Sequence, residues 1–339
     1  MFTHQDINKI NKAISAFPVE AQFSVAIIKN GAAYYYGGIK AKSKIEEITN
    51  EHSIFEVGSI TKVFTSAILA QMAVENLIDI NEEISPKLGF SLKDNIKITY
   101  KELSTHSSGL PGLPLDLILG LLFRNKENPY RDYSEERLIK YLKYDLKLKR
   151  KASLRYSNVG VGLLGYVLSK ISGCSFDELL KQRIFTPLQM FESTTIRKER
   201  EDKLVVGLNK KGKPTKNWDL NILVGAGGML SSTYDLSKFI TENIEGNNKA
   251  VELQKQCFYE KGRHSMGLGW FILKNQIPNI NAAYFHNGGT GGYRSSMVVD
   301  FEKGNGVIVL TNVSGLYLIK GEKIDKLAFK LLERINKKT

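Results

Sequence analysis

The sequence predicts an α+β protein: an antiparallel sheet of about five strands flanked by helices, with an all-helical lobe inserted mid-chain. Three observations carry this. Apolar strand-like runs crowd the first and last thirds, strand signals are scarce from Asn76 to Arg200, and amphipathic helices stand at both ends. Residues 1–75 and 207–339 are therefore expected to form the sheet region, and residues 76–206 the helical lobe. A length of 339 residues with a 42% hydrophobic fraction supports a sizeable core and excludes a disordered chain.

Taken in order, Ile7, Ile10, Ile14 and Phe17 mark a first amphipathic helix closed by Pro18. Phe23 to Ile28 is a nearly continuous apolar strand, so it should be covered on both faces. Asn30-Gly31 signals a tight hairpin, and Ala32 to Gly37 returns as the second strand. An apolar helix then runs from Ile60 to Glu75 without proline or glycine. In the middle third, Ser134 can cap a helix carrying Leu138, Ile139 and Leu142. Val159 to Ile171 forms another, ended by Gly173, and Ser175 to Glu178 is a capping box followed by Pro187. Strands resume at Ala283–His286, Ser295–Phe301 and Gly306–Asn312, the last two joined by a Lys303-Gly304-Asn305-Gly306 turn. Ile324, Leu327, Ala328, Leu331 and Ile335 make a closing amphipathic helix.

The net charge is +13, from 48 Lys+Arg against 35 Asp+Glu. Such a balance fits either an anionic partner or a solvated basic surface; the lysines are spread along the chain, which favours the surface, and no nucleic-acid partner is expected. Contact with a membrane surface or a cell-wall polymer stays open. The two cysteines form neither a metal spacing nor a disulfide framework, and the five histidines are scattered, so no metal or cofactor is expected. Met1 to Asn11 is polar and is not a signal peptide, which reads as a cytoplasmic protein, or a secreted or periplasmic one if a leader was trimmed. The longest greasy stretch, Leu113 to Phe123, contains Pro114 and Asp116 and is too short to span a bilayer; the wider segment Leu110 to Phe123 is either lobe core, an acyl pocket or a membrane-resting surface.

The chemistry centres on Ser59-Ile60-Thr61-Lys62. Positions three apart share a helix face, so the Lys62 amine can reach the Ser59 hydroxyl. A serine attacks a carbonyl only when a neighbour takes its proton, and a lysine does so once burial depresses its pKa. Taken alone the pair is weak, because serine is also a common helix cap and the spacing arises by chance about once or twice in a chain this size.

Two further patterns each occur once: Tyr156-Ser157-Asn158 before a helix, and His286-Asn287-Gly288-Gly289 at the end of a strand. With Ser59–Lys62 they resemble, in order and spacing, the penicillin-recognising serine hydrolases. The similar branch holds class C β-lactamases, D-Ala-D-Ala carboxypeptidases, D-aminopeptidases and family VIII esterases. Leu103 to Pro111, Pro187 to Met190, Gly225 to Met229 and Leu310 to Asn312 are similar to the family's later landmarks, so the resemblance covers most of the chain.

It implies Ser59 as nucleophile, Lys62 and Tyr156 as proton carriers, and an oxyanion hole from the backbone N–H groups of Ser59 and Gly289. Asn158, His286, Gly288, Gly289 and Asn312 are implied as substrate-binding, His286 by positioning Tyr156 or taking a substrate carboxylate. His106 is read as stabilising its turn. Where class C β-lactamases usually carry a lysine and a threonine or serine, this chain has His286 and Asn287, a form typical of the peptidase and esterase relatives. The resemblance thus implies a serine hydrolase acting through an acyl-enzyme on a D-amino-acid peptide or amide, or a small ester. The alternatives are a class C-like β-lactamase, a penicillin-binding sensor without turnover, or a basic module for an anionic polymer.

Overall fold

The structure is a computed structural model that describes residues 2–115, 117–118, 127–148, 153–315 and 318–337. Helix α1 (His4–Ile14) opens the chain with a capping box between Thr3 and Asp6. Strands β1 (Gln22–Lys29) and β2 (Ala32–Lys40) form the hairpin; Asn30 and Gly31 take φ of 52° and 72°, the conformation a two-residue turn of this hand requires. Short strands β3 (Ile45–Glu47) and β4 (Phe55–Glu56) lead to α2 (Thr61–Val74), and later to α3 (Asn158–Ser172). After β5 (Leu230–Ser231) and α4 (Thr233–Glu245) come β6 (Tyr259–Lys261), β7 (His264–Met266), β8 (Phe271–Ile277), β9 (Ile280–Gly289), β10 (Arg294–Asp300) and β11 (Asn305–Thr311), then α5 (Leu318–Asn336).

The main sheet is antiparallel and has nine strands in the order β3-β2-β1-β11-β10-β9-β8-β7-β6, rather than about five. The four extra strands escape a sequence reading for physical reasons. Strands β3, β6 and β7 are three residues long, too short to show a period, and β8 carries Lys274-Asn275-Gln276 and a register shift at its exposed end. First and last strands of the chain meet inside the sheet, with Val25 opposite Val309 and Ile27 opposite Val307.

Both faces of the sheet are covered, and alternation decides which residue goes where. Val25, Ile27, Val298, Val307 and Val309 pack with α1 and α5. Their neighbours Ala26, Ile28, Met297, Val299, Ile308 and Leu310 pack in the larger cluster that contains α2, α3 and α4. Among the described residues, no strand of either sheet comes from residues 76–206. In that region Ser134 and Ser175 cap helices, and Gly173 ends α3 at φ 68°.

Of the greasy stretch, Leu110 and Leu117 are core residues, whereas Leu115 and Ile118 are exposed. Leu121, Leu122, Phe123, Arg124 and Lys126 lie outside the described residues. Among the described residues no single helix is long and apolar enough to cross a membrane.

Candidate active site

Ser59 does not sit on an α-helix. It occupies a 3-10 turn, Gly58–Ile60, that feeds directly into α2. The spacing to Lys62 survives this change, because Lys62 lies in the first turn of α2 and points back. Its Nζ is 2.9 Å from Ser59 Oγ, 2.8 Å from Asn158 Oδ1 and 2.6 Å from the Ala226 carbonyl. Lys62 is completely buried, and burial pushes its pKa well below the usual lysine value.

The two carbonyl oxygens decide what the neutral amine can do. Neither Asn158 Oδ1 nor the Ala226 carbonyl can donate, so the two amine hydrogens of an uncharged Lys62 go to them. The remaining lone pair then faces the Ser59 hydroxyl, ready to accept its proton.

Tyr156 stands on the other side of the serine. Its hydroxyl hydrogen-bonds Ser59, and its ring centroid is 4.9 Å from Lys62 Nζ. Tyr156 as a whole is 39% exposed, so the site opens to solvent at this residue. Desolvation of the hydroxyl raises its pKa, outweighing the lowering from Ser59, so the phenol stays protonated in the free protein.

Asn158 is free to face Lys62 because its neighbour does the capping. Ser157 Oγ accepts from the Gly160 N–H at 2.9 Å and donates to the Pro111 carbonyl at 2.6 Å. The Asn158 amide then spans two groups, accepting from Lys62 and donating to the Tyr130 hydroxyl at 3.1 Å.

The end of β9 closes the site against the turn that carries Ser59. Gly58 has φ 53°, and a Cβ there would lie 2.7 Å from the Gly289 nitrogen. A Cβ on Gly288 would lie 2.0 Å from the Val57 carbonyl oxygen and 2.8 Å from the Ser59 nitrogen. Only glycine fits at either position, and the result is a close approach of the Ser59 and Gly289 backbones. Among the described residues, no group of three or more His, Cys, Asp and Glu side chains is placed to hold a metal ion.

The family model described as Beta-lactamase matches residues 10–324. The chain belongs to the beta-lactamase family. It is 26% identical over 333 residues to a beta-lactamase of Pseudomonas fluorescens, covering 86% of this chain and 88% of that one. It is 25% identical to the protein flp of Staphylococcus aureus MW2 over 88% of this chain, and spans 60% of flp's length. Among solved structures, the octameric penicillin-binding protein homologue from Pyrococcus abyssi matches with a TM-score of 0.82 at 25% identity, over 99% of this chain and 77% of that one. A beta-lactamase/D-alanine carboxypeptidase from Pseudomonas syringae shares the fold, with a TM-score of 0.79 at 20% identity and 97% of each chain covered.

In this beta-lactamase-family protein two expected substrate contacts are placed otherwise. Asn312 is 2% exposed; its amide donates to the Glu20 and Val206 carbonyls and accepts from the Gln22 N–H at 2.6 Å. It ties three chain segments together and is not open to a substrate. His286 is fully buried, its ring centroid 6.2 Å from that of Tyr156. Burial, with Lys62 nearby, pushes its pKa down to about 3, so it is neutral and offers no charge to a carboxylate. Its Nδ1 is committed to the Asn287 carbonyl at 2.7 Å.

Two groups at the site carry no signal as isolated residues, the Ala226 carbonyl and Tyr130, and His106, read from the sequence only as stabilising its turn, also stands here. Ala226 lies within the Gly225–Met229 landmark, which is where a search for the second acceptor of Lys62 would have begun.

Proposed function

We propose that this protein is a serine acyl-hydrolase working through an acyl-enzyme on the amide or ester carbonyl of a small D-amino-acid derivative or a small ester. The observation that carries this reading is the buried, depressed Lys62 with its lone pair directed at Ser59. Ser59 Oγ attacks the carbonyl carbon while Lys62 Nζ takes the hydroxyl proton. The negative charge formed on the carbonyl oxygen lies against the backbone N–H groups of Ser59 and Gly289. Collapse breaks the bond to the leaving group, which receives a proton through the Tyr156 hydroxyl. Water then attacks the acyl carbon, giving up its proton along the same route; the bond to Ser59 Oγ breaks, Oγ takes that proton back, and the acid leaves. Lys62 is the base of this scheme, since Tyr156 holds its own proton.

The choice of substrate class is supported by what the strand lacks. His286 is neutral, and Arg294 is already paired with Asp325 at 2.5 Å. A β-lactam carries a carboxylate that this strand leaves without a free cation, so uncharged amide or ester ends fit better. Hydrolysis of β-lactams remains the second reading, supported by the relatives named as beta-lactamases.

The test is a turnover panel of p-nitrophenyl esters, D- and L-amino-acid anilides, D-Ala-D-Ala peptides and nitrocefin, run on the protein and on Ser59→Ala. Turnover and covalent labelling by a fluorophosphonate should both vanish in Ser59→Ala while Tm stays nearly unchanged. Labelling that persists at another serine refutes the assignment. A label that forms without any turnover identifies a sensor instead.

A further inference from the structure

We propose that His106 is the positioning residue of Tyr156, holding the main chain on both sides of the tyrosine and packing against its ring. This deepens the serine-hydrolase reading above and rests on it. The two contacts come from one residue. The His106 carbonyl accepts the Arg155 N–H at 2.8 Å, and His106 Nδ1 accepts the Ser157 N–H at 3.2 Å. Tyr156 is thus bracketed by hydrogen bonds at the residue before it and the residue after it. Its ring centroid is 4.5 Å from that of His106.

The bracket is rigid. His106 is 1% exposed and stands at φ 57°, an uncommon conformation for a residue with a Cβ. The turn around it is pinned by the Thr105 N–H on the Lys101 carbonyl and by the Ser107 and Ser108 N–H groups on the Glu102 carbonyl. Phe271, parallel to Tyr156 within 13° at 6.2 Å, and His286 complete the wall around the phenol.

The hydrogen bond to Ser157 also settles what His106 does not do. Because Nδ1 receives a main-chain N–H, the ring proton sits on Nε2. A second proton on Nδ1 would set two donors against each other. Burial opposes a positive charge on the ring, and the titratable groups that face it, Lys62 and His286, offer no anion to balance one, so His106 stays neutral. It carries no proton in the reaction and supplies geometry alone. A misplacement of about 1 Å in a reacting group costs about 10²-fold in rate, which is the scale such a bracket protects.

Two variants separate this from a purely structural role. His106→Gly tolerates the left-handed backbone and keeps the carbonyl, but removes Nδ1 and the ring. His106→Asn tolerates the same backbone and restores an acceptor near the Nδ1 position. Rates are taken per active site counted with a fluorophosphonate, so unfolded protein does not contribute. His106→Gly should lower kcat about 10- to 100-fold with KM within about threefold and with both limbs of the pH profile unmoved. His106→Asn should stay within about tenfold of the parent and above His106→Gly.

Parent-like kcat in His106→Gly, or a shifted pH limb in either variant, overturns the proposal. Should His106→Gly fail to fold, His106→Asn decides alone: a loss beyond about tenfold overturns it. If the parent is not labelled at Ser59, the serine-hydrolase reading itself fails. A labelled parent with an indifferent His106→Gly sinks only the role of His106.

Discussion

The Ser295 hydroxyl donates to the Val57 carbonyl at 2.7 Å, joining β10 to the turn that carries Ser59. Val57 is tied from the other side as well, its N–H donating to the Met229 carbonyl at 3.1 Å. Thr61 Oγ1 adds a third clamp, donating to the Gly58 carbonyl and accepting from the Met229 N–H. Position 59 is therefore fixed by a strand and a loop as well as by the start of α2. A fixed backbone is what an oxyanion site needs, because donors that do not have to reorganise stabilise developing charge most effectively.

A wedge in this contact gives the first prediction. In Gly288→Ala the added methyl would collide with the Val57 carbonyl, Ser295 Oγ and the Ser59 nitrogen, all within 2.8 Å. Because two of these are backbone atoms, the β9 end must move. We expect kcat to fall at least about 10²-fold, the scale of losing one oxyanion donor. Acylation rates measured with a fluorophosphonate check this: an unchanged rate would show that the close approach does not shape the site.

Glu56, three residues before Ser59, gives a pH prediction. It is 5% exposed, and its Oε1 accepts from Asn217 Nδ2 at 2.8 Å and from the Trp218 N–H at 2.9 Å. Burial pushes its pKa up to about 7, against the lowering from these donors and from Arg197. A carboxyl with a raised folded pKa binds its proton more tightly in the folded state than in the unfolded chain. Its stabilisation is full below about 4.5 and is lost as pH rises through about 7, a total on the order of 3 kcal/mol. Glu56→Gln keeps the acceptor and cannot ionise. It should melt several degrees above the parent at pH 8 and close to it at pH 4.5; equal melting at both would show that ionisation of Glu56 costs nothing.

Much of the site was legible because its chemistry lies in three short unbroken patterns. Ser59–Lys62, Tyr156–Asn158 and His286–Gly289 each contain the residues that meet, so local order preserved them. What was not legible depends on partners distant in the chain. Asn312 satisfies its amide on the Glu20 and Val206 carbonyls and the Gln22 N–H, and no pattern around Leu310–Asn312 announces those partners. The bracket at His106 pairs it with residues 155 and 157 across some fifty positions. The sheet behaved likewise: β1, β2 and β9–β11 are long enough to show their period, whereas the three-residue β7 is ordered by pairing with β8, and β6 by pairing with β7.

The greasy segment after Leu110 can now be divided. Leu117 is 2% exposed and belongs to the main cluster, whereas Leu115 is 69% exposed. Leu117→Ser should cost about 2–5 kcal/mol and lower Tm accordingly. Leu115→Ser should leave Tm within about a degree, since it removes no packing. If Leu115→Ser also changes KM for long-chain esters, or releases the protein from anionic vesicles, this residue belongs to an acyl pocket or a lipid-facing surface. Unmoved values would make it an ordinary exposed leucine.

The proton path is tested by a double-mutant cycle on Lys62 and Tyr156. Both reach Ser59, Lys62 at 2.9 Å and Tyr156 through its hydroxyl, and Lys62 Nζ stands 4.9 Å from the Tyr156 ring. Lys62→Ala removes the acceptor of the serine proton, and Tyr156→Phe removes the route to the leaving group. Each should lower kcat at least about 10²-fold, with a smaller effect on KM. If the two residues act on one proton, the second loss adds little once the first has occurred, so the double variant should match the worse single within about tenfold. The pH profile supplies the independent arm. Lys62 must be neutral to accept the proton, and its pKa is depressed by burial, so kcat/KM should fall as pH drops through that depressed value. The acid limb should disappear from the residual activity of Lys62→Ala and persist in Tyr156→Phe. Fully multiplicative losses, together with an acid limb that survives Lys62→Ala, would show that the serine proton goes elsewhere.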